Sequence, residues 1–568
     1  VFTRKPLVST ALALFLVMAL SLVPLTIGAL AAWDHLLVSA GPTGLGANSH
    51  SFDPSLSADG TKLSYSSYAS DLMSASTGEY QNVFFYDAVN DQTLLVSAGA
   101  GGTAADGNSW QSAISGDGTK VVFASGAHNF DGVTVTGDQY QLFIWDLVSG
   151  EIKLITKGSS GTGGNDLSIE PSVSYDGSKV AFTSQATDLV GAVTDGYALN
   201  VFLWDADTDS TILVSKGAAG RGGDSWSEQP SISYDGSKVA FASGARNLND
   251  AVITGDYHNV FVWNGFDDSI KLVSETAAGA GGNGPSNEPS ISGNGEFIAF
   301  VSAATDLAGT SVTPGDNMNA FLWFFQAGII DQIDVGPSLS GDPNNYSAPS
   351  VNEDGTQVAI VEGPRYAPTM LPLGETLVET NGELNVYHWN RTTGVSSLVS
   401  CNDAGSWGNR ESAEPSISGD GTRVAHSSYA SDLSGAPTDN GFCNVFLADE
   451  IPPAMVTVTF DAQNGTAPVS TSVAVGSPVA EPGAPTKAGY TFAGWWTAPS
   501  GGVQWNFGDP VLSDMTLYAH WVPNGTPEPP VPPVPPTGDA LTLTSLAITG
   551  LAGCALVLSP MIKKRFEG

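Results

Sequence analysis

One short signature recurs down this chain and dictates most of what it can become. An Asp-Gly or Asn-Gly pair, followed by an apolar run, stands at Asp59-Gly60, Asp117-Gly118, Asp176-Gly177, Asp235-Gly236, Asn294-Gly295, Asp354-Gly355 and Asp420-Gly421. The steps between these pairs are 58, 59, 59, 59, 60 and 66 residues. Such a period marks a repeat architecture, in which no unit buries its apolar faces alone and each packs on its neighbours. The prior of one domain per ~150 residues therefore does not apply between Trp33 and Glu450.

The fourth unit shows the internal logic. Pro230-Ser231-Ile232-Ser233 reads as a short strand and Tyr234-Asp235-Gly236-Ser237 as a tight turn, Gly supplying the positive φ that a hairpin needs. Lys238–Ala242 alternates as a second strand, Asn259–Asn264 is a third and Ser269–Ser274 a fourth. Seven such units predict an all-β fold, a seven-bladed β-propeller over residues 32–450 with four-stranded blades. The seventh unit lacks a fourth strand before Ile451-Pro452-Pro453. Leu36-Leu37-Val38-Ser39 copies the missing piece, as comparison with Leu272-Val273-Ser274 shows, so the N-terminal segment is expected to close the last blade. The pattern Pro-Ser-x-Ser-x-Asp-Gly-x-x-Val-Ala-Phe resembles the TolB-like, WD-related propeller repeats of exported bacterial proteins. That resemblance implies a fold and leaves function open.

Composition narrows the partners. With 57 acidic against 20 basic residues the formal charge is −37, which excludes nucleic acid and anionic lipid surfaces as partners. No metalloprotease His pair, nucleophile elbow or phosphate loop is present. The seven histidines, His35, His50, His128, His258, His388, His426 and His520, are scattered. No catalytic residues are assigned.

Two rings of acidic positions follow from the alignment of units. The first precedes each inner strand: Asp53, Gln111, Glu170, Gln229, Glu288, Ala348 and Glu414. Its four carboxylates, Asp53, Glu170, Glu288 and Glu414, admit two readings. One is a Ca²⁺ or cationic-ligand site at the channel mouth, since hard oxygen ligands suit Ca²⁺. The other is bonding to backbone N–H groups between blades. The second ring, Glu79, Asp138, Asp195, Asp256, Asp316 and Asp439, lies in the long loops and lacks EF-hand spacing. Cys401 and Cys443 belong to adjacent units at the same end of the propeller, where an exported setting permits a disulfide or two separate thiols.

The two ends of the chain read as targeting signals. Arg4 and Lys5 precede an apolar run, and Ala29-Leu30-Ala31 fits a small-x-small cleavage site, so 1–31 is expected to be a signal peptide. Val534-Pro535-Pro536-Thr537-Gly538, the uncharged span 540–562 and Lys563-Lys564-Arg565 follow each other in order. Together, over 534–568, they resemble the LPxTG sorting signal of Gram-positive surface proteins, with Val534 in place of the first Leu. The resemblance implies cleavage by a sortase between Thr537 and Gly538 and attachment to peptidoglycan, with contact to the membrane confined to the terminal segments. Without these ends the chain carries 15 basic residues against 55 acidic ones.

Residues 455–522 have another texture, centred on Gly489-Tyr490-Thr491-Phe492-Ala493-Gly494-Trp495-Trp496 and closed by Thr516–Trp521. They resemble the internalin B-repeat family, small β-grasp-like modules, which implies a spacer or adhesion role. Trp495, Trp496, Trp505 and Trp521 are either its core or a carbohydrate-stacking surface. Eight prolines in 523–536 predict an extended stalk. The reading that results is a cell-wall-anchored surface protein whose propeller binds an extracellular protein, peptide or glycan. A channel hydrolase or lyase and a purely structural wall protein are the alternatives.

Overall fold

The computed structural model describes residues 33–525, apart from 74–77, 192–197, 218, 249–251, 254, 310–317, 334–344, 364–383, 434–437, 439–440 and 452–454. The predicted signal peptide with Ala29 and Ala31, most of the stalk, the Val534–Gly538 motif and the 540–562 span lie outside these residues. Among the described residues no helix is long and apolar enough to cross a membrane. The chain divides into two units near Pro452.

The first unit is all-β and propeller-like. It contains seven four-stranded antiparallel sheets. Sheet one is Ser51–Leu56, Lys62–Ser67, Asn82–Asp87 and Gln92–Leu95, and the later sheets repeat this order. Sheet seven takes its outer strand from the start of the described chain. Trp33–Leu37 pairs antiparallel with Asn444–Glu450, in the register Trp33↔Glu450 to Leu37↔Phe446. The closing strand thus lies three residues earlier than the Leu36–Ser39 copy suggests. Val38 extends the pairing by donating its N–H to the Val445 carbonyl.

Each residue of the repeated motif has a separate structural job. The second Ser and the Asp close the hairpin. In sheet four, Ser233 Oγ donates to Asp235 Oδ1 at 2.7 Å and accepts the Lys238 N–H. The first Ser reaches across to the next sheet. Ser55, Ser172, Ser231, Ser290, Ser350 and Ser416 accept the N–H of Ile114, Ile232, Ile291, Val351, Ile417 and Leu56 respectively. Only sheet two has an Ala, Ala113, at this position. The last of these bonds joins sheet seven back to sheet one and closes the circle.

Apolar strands two and three fill the space between sheets. One such interface joins Val122, Leu142 and Ile155 of sheet two to Val180, Phe182 and Phe202 of sheet three, all buried. Burial of this kind is worth about 1.5–3 kcal/mol per large side chain and repeats at every junction.

The second unit is a single mixed sheet in which Met455–Asp461 runs parallel to Met515–Pro523, flanked by Val469–Ala474 and Tyr490–Trp496. Trp495 is buried against Val458, Phe460 and Leu517, with Trp505 and Trp521 packed on the same core. Trp496 stacks on His520, with ring centroids 4.6 Å apart. Three of the four module tryptophans therefore serve the interior.

Candidate binding face and axial ring

The inner strand of every sheet carries a bulge at the position of the first acidic ring. Asp53, Gln111, Glu170, Gln229, Glu288, Ala348 and Glu414 all adopt positive φ, between 47 and 56°. Ladder register slips at each, for instance between Glu228 and Ser231. Positive φ costs an L-residue roughly 1–2 kcal/mol, and Gly would remove that cost. Gly has no acceptor, however, and the acceptor is what the site uses. Glu414 accepts the Asp53 N–H at 3.0 Å, Gln111 that of Glu170 at 3.0 Å, Glu170 that of Gln229 at 2.9 Å, Gln229 that of Glu288 at 2.9 Å and Glu288 that of Ala348 at 2.6 Å. Five of the seven positions thus hand one bond to the next sheet around the axis.

This arrangement matches the second of the two readings of the ring. The oxygens of Glu170, Glu288 and Glu414 turn to neighbouring backbone. Among the described residues no group of three or more His, Cys, Asp or Glu is placed to hold a metal ion. Burial raises the carboxyls of Glu170 and Glu288 above their usual range. Asp53 is pushed up to about 7, by burial first and then by the charge of Glu414. Glu170 also accepts from Thr183 Oγ1 at 2.9 Å. Glu170→Ala therefore orphans two donors and is expected to cost about 2–4 kcal/mol in urea unfolding. Glu170→Gln, which reproduces what Gln111 and Gln229 already do, should stay within about 1 kcal/mol of the parent. Equal losses in both variants would refute the role of the acceptor.

At the hairpin end a second circle forms from backbone alone. N–H groups of Ala58, Asp117, Tyr175, Tyr234, Asn294, Glu353 and Gly419 donate to the carbonyls of Gly116, Tyr175, Tyr234, Gly293, Glu353, Gly419 and Ala58. Two aromatic rings lie in this circle, Tyr175 and Tyr234, with centroids 5.4 Å apart. They fit because the neighbouring positions are glycine. A Cβ on Gly116 would stand 2.5 Å from Tyr175, and one on Gly293 2.5 Å from Tyr234. One on Gly419 would come within 3.3 Å of the Tyr234 hydroxyl, so that ring extends toward the seventh sheet. Burial raises the Tyr234 hydroxyl above its ordinary range, and the Glu353 charge adds to the rise. The glycines are needed for space and not for φ. Gly293→Ala should lower stability by about 1–3 kcal/mol. Adding Tyr234→Ala should relieve the clash, so the double variant must lose less than the sum of the singles. Simple additivity in a thermal melt would count against the contact.

The opposite end carries the long loops. Six of them are tied by the same reciprocal clasp: Asn48 with Asp71, Asp106 with Asn129, Asn165 with Asp188, Asp224 with Asn247, Asn283 with Asp306 and Asn409 with Asp432. The first residue of each pair donates its N–H to the second side chain. The residue before the second returns a bond to the first side chain. Every clasp holds one amide and one carboxylate, which avoids two facing charges. On this framework stand Tyr68, Tyr80, Trp226, Tyr257 and Trp407, each 44–49% exposed. Nearer the axis, His50 stacks on Phe52 at 5.6 Å and meets Phe442 at 5.0 Å, and Trp110 meets Tyr140 at 5.8 Å.

The remaining predicted positions are dispersed. Glu79, Asp138 and Asp256 are exposed, and Asp256 pairs with Arg246. Asp195, Asp316 and Asp439 lie outside the described residues. Of the two arrangements open to Cys401 and Cys443, the structure has two buried thiols. Cys401 Sγ faces the Trp33 carbonyl at 3.9 Å inside the core between sheets six and seven. Burial and the nearby Glu414 charge raise the Cys443 thiol well above its usual range. The two side chains are held in different surroundings. Sequence reasoning missed the two tyrosines, because their fit depends on glycines in other units. The one available signal was the mixture of Gly and Tyr at a single repeat position.

Comparison with known proteins bears on the second unit. Residues 457–520 match the Listeria–Bacteroides repeat domain. Internalin H of Listeria monocytogenes is 49% identical over 51 residues, 9% of this chain and 9% of that protein, so the chain spans about a tenth of that relative. Solved structures that align with this chain include TolB from Acinetobacter baumannii, at 13% identity and TM-score 0.33 over 65% of this chain and 76% of that one. A puromycin-hydrolyzing peptidase of Mycobacterium tuberculosis aligns at 14% identity and TM-score 0.41 over 78% and 61%. The chain is thus a repeat protein whose second unit is similar to the Listeria–Bacteroides repeat domain and to a segment of internalin H.

Proposed function

We propose that this is an exported surface protein of a Gram-positive bacterium whose propeller-like unit docks an extracellular protein, peptide or glycan on its loop face. The observation that carries the reading is the loop face itself, which presents five exposed aromatic side chains on loops held by clasps. Rigid aromatic rings bind at low entropic cost, through stacking on sugars or packing against protein. The internalin-like module supports a surface location. In this reading 1–31 is removed on export, a sortase acts at Thr537-Gly538, and the module with the Pro-rich stalk holds the ring off the wall. Three of the four ring carboxylates, Glu170, Glu288 and Glu414, are engaged with backbone N–H groups, which gives hydrolysis in the channel little support.

The test is a glycan and protein array probed with the purified chain and with a Trp226→Ala/Trp407→Ala variant. A ligand retained by the parent and lost by the variant supports the loop face. Equal signals from both, or none from the parent, would reject it.

A further inference from the structure

The outer grooves between neighbouring sheets share a tryptophan, two of them cover it with a lysine, and one places an acid at the lysine position. The third strand of sheets two to six ends near a tryptophan: Trp145, Trp204, Trp263, Trp323 and Trp389. Each faces one position on the outer strand of the preceding sheet. That position is Leu94, Lys153, Ile212, Lys271 and Asp331 in turn. Its equivalence is set by register, Lys153 standing opposite Ile144, Lys271 opposite Val262 and Asp331 opposite Leu322. Where the residue is lysine, its ammonium lies over the next tryptophan. Lys153 Nζ is 5.1 Å from the Trp204 ring and Lys271 Nζ 4.8 Å from the Trp323 ring. Those two rings are sealed, at 2% and 0% exposure, and Trp145 and Trp389, which no lysine covers, are each 7% exposed.

At Trp389 the cation is missing and an acid takes its place. A pocket of about 510 Å³ opens there, lined by Asp331, Gln332, Trp389, Arg391 and Thr392. Asp331 is exposed and enters none of the ion pairs of the described residues. The Arg391 guanidinium is occupied by the preceding sheet, 4.2 Å from the Phe324 ring and 5.5 Å from Phe297.

We propose that this pocket binds a primary alkylammonium group, as at the tip of a lysine side chain supplied from outside. Trp389 offers the ring face that Lys153 and Lys271 use elsewhere in the same molecule. Asp331 offers the counter-charge and an acceptor for N–H, which a quaternary ammonium could not use. The neighbouring Arg391 opposes the ligand charge and limits affinity. This site is separate from the loop face and stands or falls independently of it.

Calorimetric titration of the full chain with Nα-acetyl-lysine methylamide and with n-butylammonium, at low salt, tests the idea. Saturable binding of both is expected, with Nα-acetyl-norleucine methylamide, the uncharged control, at least tenfold weaker. Asp331→Asn should weaken binding about tenfold, and Arg391→Gln should tighten it. Asp331→Lys restores the repeat's own cation over Trp389, so it should abolish binding while leaving the melting temperature equal to or above that of the parent. That variant guards against loss of binding through misfolding. No saturation with the parent, or the same affinity in the folded Asp331→Lys variant, would overturn the proposal.

Discussion

A chain lacking Trp33–Leu37 is expected to lose the cooperative thermal transition of the intact protein and to aggregate where the intact chain stays dispersed. The strand contributes a full ladder to Asn444–Glu450. It also brings Trp33, wholly buried, against Val361, Val386, Val399 and Val424. The Trp33 indole N–H donates to Ser397 Oγ at 3.1 Å, so one side chain joins sheets six and seven. Without it, the strand Asn444–Glu450 becomes an open edge, a template for pairing with other chains. The single substitution Trp33→Ala should already cost about 3–5 kcal/mol, the usual range for truncating a buried aromatic. Calorimetry with light scattering reads both effects. A truncated chain that melts within a few degrees of the parent, without scattering, would contradict the closure.

The second large effect is expected on acidification, and it originates at the same seam. Three histidines are buried beside the closing strand. His35 meets His426 at 5.4 Å, His426 stacks on Phe446 at 5.7 Å, and His388 meets Trp33 at 5.3 Å. Burial holds His35 and His388 at about 4 and His426 at about 3, the last also lowered by its neighbour His35. Unfolded, each titrates near 6.5. Between those values the unfolded chain binds more protons, so stability falls as pH drops from about 6.5 toward 4. One pKa unit corresponds to about 1.4 kcal/mol, so each histidine contributes at most roughly 3–5 kcal/mol to this loss. Asp53 acts with the opposite sign. Its folded value of about 7 lies above the ordinary 3.8, so its share of stability is present in acid and is lost as pH rises through 7. Urea unfolding against pH should therefore show His426→Phe flattening the acid limb and Asp53→Asn raising the alkaline side. An unchanged acid limb in His426→Phe would refute the histidine account.

Much of the architecture was open to reading because it rests on local chemistry repeated many times. Asp-Gly pairs announce hairpins, alternating runs announce strands, and an unfinished seventh unit points to a strand from elsewhere. The bulges at Asp53, Glu170 and their equivalents were not readable. Left-handed backbone is normally signalled by Gly or Asn, and here acids, amides and one alanine adopt it; at Gln111, Glu170, Gln229, Glu288 and Glu414 a side-chain bond to the next sheet offsets the strain. The same bonds bear on the two readings of the acidic ring, since the oxygens of Glu170, Glu288 and Glu414 accept backbone N–H groups of the next sheet. The pocket at Trp389 was hidden for another reason. Asp331 is unremarkable until the structure aligns it with Lys153 and Lys271.

The closing strand has a mechanical consequence. Any tension transmitted from the chain beyond residue 450 enters the ring through Asn444–Glu450. That segment is a central strand, laddered to Arg423–Ser428 on one side and Trp33–Leu37 on the other. A pull along its length must shear two rows of hydrogen bonds together, rather than peel an edge strand one bond at a time. The last strand of the ring is in this way held by two ladders where an edge strand would have one.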